Sequence, residues 1–259
     1  MSSDLREVWY DRASRTAITV VDVRETAEKL LAAHLSGPAA GYFLARALAA
    51  AALLGAETCE KDESLSIQMK CKGPLGGLNV ECTADGALRG YTERKVLEDF
   101  DGLGTPDVRK VVGEKRIQVT RSVPGRILSQ GLATNLNGYL NQSLQRNAQI
   151  RLEAQVADDG RVAVAKGVMV EKMPDAEDKE IVFPARLSLA VSSRTLLKHL
   201  GYARAELKSR TPLRFECRCN PQRAAAMLGA LSGEEREGLP ETIDITCHMC
   251  GRIYTVKTR

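Results

Sequence analysis

Aromatic side chains are scarce in this chain of 259 residues, which has one Trp, four Phe and six Tyr. Proteins that bind single-stranded nucleic acid without sequence preference stack the bases on aromatic side chains, so the shortage argues against such a platform. The net charge is only +4, and the 37 Lys and Arg residues are interspersed with 33 acidic residues instead of forming a basic stripe. The composition therefore predicts no nucleic-acid partner.

Long uninterrupted apolar runs are also missing. No run reaches the ~18 apolar residues of a membrane-spanning helix. The first six residues, Met-Ser-Ser-Asp-Leu-Arg, lack the apolar stretch of a secretory signal peptide. We therefore expect a cytoplasmic protein with no membrane partner. A hydrophobic content of 44% is enough for an ordinary core, and the length suits one sizeable domain plus a smaller one.

Catalytic motifs are missing as well. The histidines, His34, His199 and His248, are not accompanied by a serine or cysteine nucleophile motif. The glycine-rich residues 73–77 lack the Gly-Lys-Ser/Thr ending of a phosphate-binding loop and are interpreted as a turn. A thiol oxidoreductase could use a Cys-x-x-Cys near the C-terminus, but that leaves a nearby Cys-x-Cys unexplained. We predict that the chain is not an enzyme.

The chain does have a regular set of cysteines near its end. Cys217 and Cys219 form the Cys-x-Cys, and Cys247 and Cys250 form the Cys-x-x-Cys. Residues two apart in a strand point to the same face, and a Cys-x-x-Cys followed by Gly251 makes a tight knuckle. The spacing therefore predicts one Zn²⁺ per chain, held by these four thiolates in a tetrahedron.

The other three cysteines, Cys59, Cys71 and Cys82, lie in or beside apolar segments and are interpreted as small buried hydrophobic residues. His248 lies inside the knuckle, where four cysteines already complete the tetrahedron, so it is interpreted as an exposed spacer. Replacing the three scattered cysteines should leave the zinc content unchanged.

Hydrophobic periodicity predicts an α+β fold for most of the chain. Period-two alternation predicts strands at residues 16–23, 64–69, 77–82, 87–91, 116–120, 150–156 and 162–170. Helices are expected at residues 24–35, 39–54 and about 132–147. The second helix is apolar apart from Arg46, so it is predicted to be a buried central helix. Strands in hairpins with segregated helices define the α+β class.

Three domains are expected. Residues 1–174 form a larger N-terminal domain of antiparallel sheet with packed helices. Residues 175–212 are interpreted as a helical, marginally stable linker, with a helix that begins at Ser192 or Ser193 and ends at Gly201.

The third domain, residues 213–259, is a small zinc-binding module. Asn220-Pro221 is a typical helix start, and Ser232 to Glu235 has the spacing of a capping box. Strands at residues 242–246 and 253–256 should flank the knuckle. So few residues build a weak core, so the metal should supply roughly 10 kcal/mol or more of the folding free energy.

The sequence resembles the redox-regulated heat-shock holdase family, the 33 kDa chaperonins. The cysteine pattern near the end of an α+β chain carries the resemblance first. It extends over most of the chain through residues 36–39, the apolar helix around Arg46, and residues 72–80, 88–91, 139–143 and 170–174.

This resemblance implies that Cys217, Cys219, Cys247 and Cys250 bind zinc in the reduced, inactive chaperone. Oxidation would form the disulfides Cys217–Cys219 and Cys247–Cys250, release zinc and unfold the module with the adjoining linker. The exposed apolar surface would hold unfolding client proteins without ATP and support a homodimer. The alternative is a zinc-ribbon nucleic-acid-binding or translation-associated protein with a purely structural zinc, which explains the metal equally well and the large N-terminal domain poorly.

Overall fold

The computed structural model describes residues 3–58, 60–174, 176, 180–229 and 231–258. Within these residues the strands are β1 (Leu5–Asp11), β2 (Thr16–Asp22), β3 (Ser64–Cys71), β4 (Gly77–Thr83), β5 (Ala87–Thr92), β6 (Lys115–Val123), β7 (Arg126–Ala133), β8 (Ala148–Val156), β9 (Val162–Lys172), β10 (Glu206–Pro212), β11 (Arg214–Phe215), β12 (Thr242–Thr246) and β13 (Ile253–Lys257). The helices are α1 (Arg24–His34), α2 (Pro38–Leu54), α3 (Val108–Val111), α4 (Leu136–Gly138), α5 (Ser193–His199), α6 (Pro221–Leu228) and α7 (Gly233–Glu237). A 3₁₀ turn (Gly55–Glu57) follows α2, and a π-helical turn (Tyr139–Ser143) follows α4.

Three sheets organise the strands. The first has the order β10-β1-β2-β9-β8 and is antiparallel throughout. The second has the order β11-β5-β4-β3-β6-β7 and is antiparallel except for the short parallel pair of β11 and β5. The third is the hairpin of β12 and β13. The prediction of an α+β fold with antiparallel sheets and packed helices is therefore confirmed.

Helix α2 lies between the first two sheets and contacts both. It is apolar on every side apart from Arg46, so it is stable only where both sheets cover it. A Cβ at Gly167 of β9 would lie 2.8 Å from Leu53 Cδ1, so a larger residue there would make the Leu53 side chain shift. The stretch Pro38–Glu57 is long and apolar enough to span a membrane, yet 83% of its most apolar window is buried inside the protein. It is the central core helix, as predicted.

A second apolar cluster covers the outer face of the first sheet. Val21 packs in the main core and its neighbour Val20 packs in this second cluster, because successive strand residues point to opposite faces. The strands contribute Trp9, Ile18, Val20, Val168 and Val170, and the following segment contributes Leu187, Leu189, Leu196, Leu197 and Ala205, with Ile181 and Phe183 packed against them. We call this set the linker cluster.

The passage from the first sheet to the second takes one residue. Strand β10 ends at Pro212 in the first sheet, and β11 begins at Arg214 in the second. Leu213 between them is fully buried in the main core, and its N–H donates to the carbonyl oxygen of Asp4 at 3.0 Å. Leu213 therefore anchors the chain in the main core at the point where it leaves the first sheet.

Residues 175–212 are only partly helical. Helix α5 begins as predicted, because Ser192 Oγ accepts a hydrogen bond from the backbone N–H of Thr195 at 3.2 Å, and Gly201 follows it with a φ of 86°. Glu206–Pro212 instead forms β10, because pairing with the edge strand β1 satisfies its backbone groups.

The helix expected at about residues 132–147 was wrong in its first part. Strand β7 runs to Ala133 in register with β6, and this pairing overrides a weak helical pattern. The helical turns then begin at Leu136, where Asn135 Oδ1 accepts a hydrogen bond from the N–H of Gly138 at 2.7 Å. Strands β1, β7 and β10 were not predicted from the sequence.

Candidate metal centre

The terminal module places two pairs of cysteines on two different elements. Cys217 and Cys219 lie on the extended segment between β11 and α6, and Asn220 begins α6 by accepting a hydrogen bond from Arg223 N at 2.8 Å. Cys247 and Cys250 lie in the knuckle between β12 and β13. Short elements with well-defined ends therefore hold both pairs.

The knuckle is closed by backbone hydrogen bonds. The N–H of Cys247 donates to the carbonyl oxygen of Arg252, and the N–H of Gly251 donates to that of Cys247, both at 2.8 Å. Gly251 has a φ of 72°, and a Cβ there would lie 2.3 Å from the carbonyl oxygen of Ala33 in α1. Glycine is therefore needed both for the turn and for the contact with α1.

The four thiols converge on one point. The Sγ atoms of Cys217, Cys219, Cys247 and Cys250 all lie within 4.8 Å of one another. The Cys217–Cys247 and Cys219–Cys250 sulfur pairs are 3.8 and 3.4 Å apart. A Zn–S distance of about 2.3 Å gives sulfur–sulfur distances of about 3.8 Å in a tetrahedron. The predicted ligand residues therefore have a donor set and spacing that fit Zn²⁺.

Hydrogen bonds reach the first cysteine pair from outside. Arg89 Nη1 of β5 donates to Cys217 Sγ at 3.7 Å, and Tyr254 Oη of β13 donates to Cys219 Sγ at 3.1 Å. Tyr254 first, and then the charges of Cys219 and Cys250, raise the pKa of Arg252. These groups offset part of the negative charge that four thiolates around one Zn²⁺ carry.

The thiols differ in acidity. Burial alone would raise the pKa of Cys219, but hydrogen bonds from Tyr254 and the neighbouring cysteines outweigh it and lower the value to about 7. Burial raises the pKa of Cys247 and Cys250. In the absence of metal, Cys219 therefore has the lowest pKa of these three thiols.

An ion-pair chain ties the site to the second sheet. Arg89 donates to Glu81 of β4 from Nε at 3.2 Å and from Nη2 at 2.6 Å. Arg218, between the two cysteines, pairs with the other carboxylate oxygen of Glu81. Cys217 thus shares Arg89 with a carboxylate of the sheet. The link between Arg89 and Cys217 spans 128 positions, and no local pattern of the sequence reveals it.

The module also docks through backbone groups and rings. Glu216 N–H donates to the Leu88 carbonyl oxygen at 3.1 Å, extending the parallel pairing of β11 and β5. Gly90 N–H donates to the Met249 carbonyl oxygen at 3.1 Å. His248 is exposed, as predicted, and its ring meets that of Tyr91 edge to face at 5.7 Å between centroids. Strand β5 is therefore the docking edge of the module.

The scattered cysteines lie apart from the site. Cys82 is fully buried, and burial raises its pKa to about 11. Cys71 is half-buried, and burial raises its pKa too. The prediction of a buried hydrophobic residue is thus confirmed for Cys82 and only partly met by Cys71, and Cys59 lies outside the described residues.

Comparison with known proteins gives one consistent family. A family model described as Hsp33 protein matches residues 9–257. The 33 kDa chaperonin of Thermus thermophilus is 30% identical over 270 residues, which cover 92% of this chain and 79% of that protein. The 33 kDa chaperonin of Symbiobacterium thermophilum is 30% identical over 248 residues, which cover 85% of this chain and 83% of that protein.

A solved structure shows the same fold. The crystal structure of the 33 kDa chaperonin (heat shock protein 33 homologue) from Thermotoga maritima matches with a TM-score of 0.88 at 20% identity, covering 99% of this chain and 96% of that chain. The family match spans nearly the whole sequence, including both cysteine pairs. The chain belongs to the Hsp33 family of chaperones.

Proposed function

We propose that the protein is a redox-regulated, ATP-independent holdase of the cytoplasm. In the reduced form Cys217, Cys219, Cys247 and Cys250 bind one Zn²⁺ and the chaperone is inactive. Oxidation of these thiols releases the metal and opens a surface that binds unfolding client proteins. The observation that carries the proposal is the convergence of the four thiols within 4.8 Å, on a module docked against the sheet core.

The bound ion would hold four thiolates and thereby fold the module. The module's own apolar cluster has three buried residues, Ala224, Leu228 and Val256. Five partly buried residues pack against these three. Metal binding supplies roughly 10 kcal/mol or more to small zinc-dependent domains, which is large for so small a cluster. The module therefore depends on its ligands remaining thiolates.

The oxidation chemistry follows from the thiols. A thiolate attacks peroxide to give a sulfenic acid and hydroxide, and a second thiolate attacks that sulfur to form a disulfide and release a second hydroxide. Two electrons pass from the two sulfurs to the peroxide. Sulfurs in disulfides no longer carry the charge that binds Zn²⁺.

We assign the disulfides as Cys217–Cys219 and Cys247–Cys250. In the folded site sulfurs of different pairs lie 3.8 and 3.4 Å apart, so the resting geometry alone does not select this pairing. Once the module unfolds, cysteines that are neighbours in sequence stay close together, whereas the two pairs are separated by residues 220–246 and drift apart. Mapping of the disulfides in oxidised protein by mass spectrometry tests the assignment.

Loss of the module frees the linker. We place the domain boundaries at 1–174, 175–212 and 213–259. Within the linker cluster, side chains of the linker cover Trp9, Ile18 and Val20 on the outer face of the first sheet. When residues 175–212 leave, this apolar sheet face and the linker's own leucines become available for clients and for a second oxidised chain, giving a homodimer.

A direct test compares the two redox forms. Reduced, zinc-loaded protein should fail to suppress light scattering by a heat-denatured client, whereas protein treated with peroxide at mildly elevated temperature should release its zinc and suppress aggregation. Equal suppression by both forms would rule out the switch. Binding of mixed RNA and DNA at low salt that fades as salt rises would instead favour the nucleic-acid-binding alternative.

A further inference from the structure

A small apolar pocket lies between α2 and the inner face of the second sheet, and none of the four thiols lines it. Its volume is about 160 Å³, and its walls include Phe43, Ala50, Ile67, Met69, Leu78 and Ile117. Val108, which is 40% exposed, also lines it, so the pocket reaches the surface beside α3. An apolar cavity of about 150 Å³ holds a guest the size of benzene, so a short acyl chain has room here.

Two cationic side chains share this pocket. Arg46, the one charged residue of α2, is partly buried, and so is Lys115 at the start of β6. Arg46 Nη1 donates to Tyr42 Oη at 2.5 Å, and the guanidinium carbon lies 5.3 Å from the Tyr42 ring centroid. Neither contact neutralises its charge. Among the described residues, no carboxylate forms an ion pair with Arg46 or Lys115.

Three other partly buried arginines do have carboxylate partners. Arg89 pairs with Glu81 at 2.6 Å, Arg121 with Glu63 at 2.6 Å, and Arg146 with Glu171 at 2.5 Å. A cation removed from water without a counter-ion is destabilising. A guanidinium has five N–H donors, and Tyr42 uses one of those on Arg46. The remaining donors match the two oxygens of a carboxylate.

We propose that this pocket binds a small amphiphilic carboxylate, such as a fatty acid of short or medium chain. Its acyl chain lies against the apolar walls between α2 and the sheet, and its carboxylate pairs with Arg46 and Lys115. An apolar pocket with a few polar groups that fix orientation is the usual form of a small-ligand site. The small volume excludes lipids with two long chains.

Calorimetric titration of the reduced, zinc-loaded full chain with three eight-carbon ligands below their micelle concentrations tests this proposal. Octanoate should bind, octanol should bind at least tenfold more weakly, and octylamine should not bind. Equal binding of octanoate and octylamine, or no binding of octanoate at millimolar concentration, would overturn the site.

Matched variants separate a site from general charge attraction. Arg46→Met keeps an apolar side chain and should weaken octanoate at least tenfold while leaving octanol unchanged. Lys70→Gln removes a charge from the exposed opposite face of β3 and should change neither ligand. If Arg46→Met lowers the thermal midpoint of unfolding, Lys115→Gln replaces it as the test. It should also weaken octanoate binding and leave octanol binding unchanged. Unchanged octanoate affinity in a folded Arg46 or Lys115 variant contradicts the proposal.

Discussion

The main core and the C-terminal module both contain antiparallel strands, and they differ in how much apolar surface they bury. The main core joins α1, α2 and both large sheets in one cluster. The module buries Ala224, Leu228 and Val256. A buried aliphatic side chain contributes about 1.5–3 kcal/mol, which is small against the entropy of ordering more than forty residues. The main core can fold by apolar burial, and we propose that the module also needs a metal ion bound to its four thiols.

Removal of the metal should have the largest effect, because it should unfold the module and leave the main core folded. Treating reduced protein with a strong chelator should abolish amide-exchange protection in residues 213–258, because the module loses roughly 10 kcal/mol. Strands β1 to β9 of the first and second sheets should keep their protection. Hydrogen exchange read by mass spectrometry measures both regions in one sample, and a module that stays protected without metal would contradict this account.

A cavity in the linker cluster should have the next largest effect. Leu189 is fully buried there, so Leu189→Ala should destabilise the linker by about 2–5 kcal/mol. We expect faster amide exchange in residues 181–205 and partial suppression of client aggregation by the reduced protein, measured by light scattering. Exposed Val182 offers a matched control, since Val182→Ala should leave both readouts near wild type. If reduced Leu189→Ala does not suppress client aggregation better than the reduced wild type, then opening of the linker does not control client binding.

The docking edge should respond to loss of Arg89. Arg89→Gln removes the charged donor to Cys217 and leaves Glu81 with Arg218, so docking should weaken by about 1.5–3 kcal/mol. Zinc release to a chromogenic chelator should be about tenfold faster or more. Arg116→Gln, on an exposed position of β6, is the control and should release zinc at the normal rate. Identical rates in both variants would mean that Arg89 does not support the site.

The smallest effect is expected from the scattered cysteines. Ala in place of Cys59, Cys71 and Cys82 should leave the zinc content at one per chain, because Cys71 and Cys82 do not join the thiol cluster. Metal analysis of the purified triple variant gives the answer. A zinc content reduced by half would mean that the ligand set is wrong.

Local patterns predicted the elements that local chemistry decides. The apolar run of α2, the consecutive antiparallel strands β3, β4 and β5, and the cap at Asn220 were all visible in the sequence. So was the capping box of α7, where Ser232 Oγ accepts from the N–H of Glu235 at 3.3 Å and donates to its carboxylate at 2.9 Å. Each depends on residues a few positions apart.

Long-range partners decided the rest. Strand β10 is polar and half exposed, and it becomes a strand only through β1, some 200 positions earlier. The contact of Arg89 with Cys217 also joins residues far apart in the sequence, 128 positions in this case. The cysteine spacing predicted which sulfurs converge, but Arg89 reaches them from another sheet and carries no spacing signal.

The single buried residue between β10 and β11 has a consequence for the order of events. Unfolding that starts in the module can proceed back along the chain as far as Leu213. It stops there because the Leu213 side chain is buried in the main core and its N–H donates to the carbonyl oxygen of Asp4. Removing the Leu213 side chain from the core costs about 2–3 kcal/mol in addition to the free energy lost when the module unfolds. Such a step speeds up steeply with warming. If the proposed redox switch operates, we expect oxidation to release the module first and warming to speed the later release of the linker.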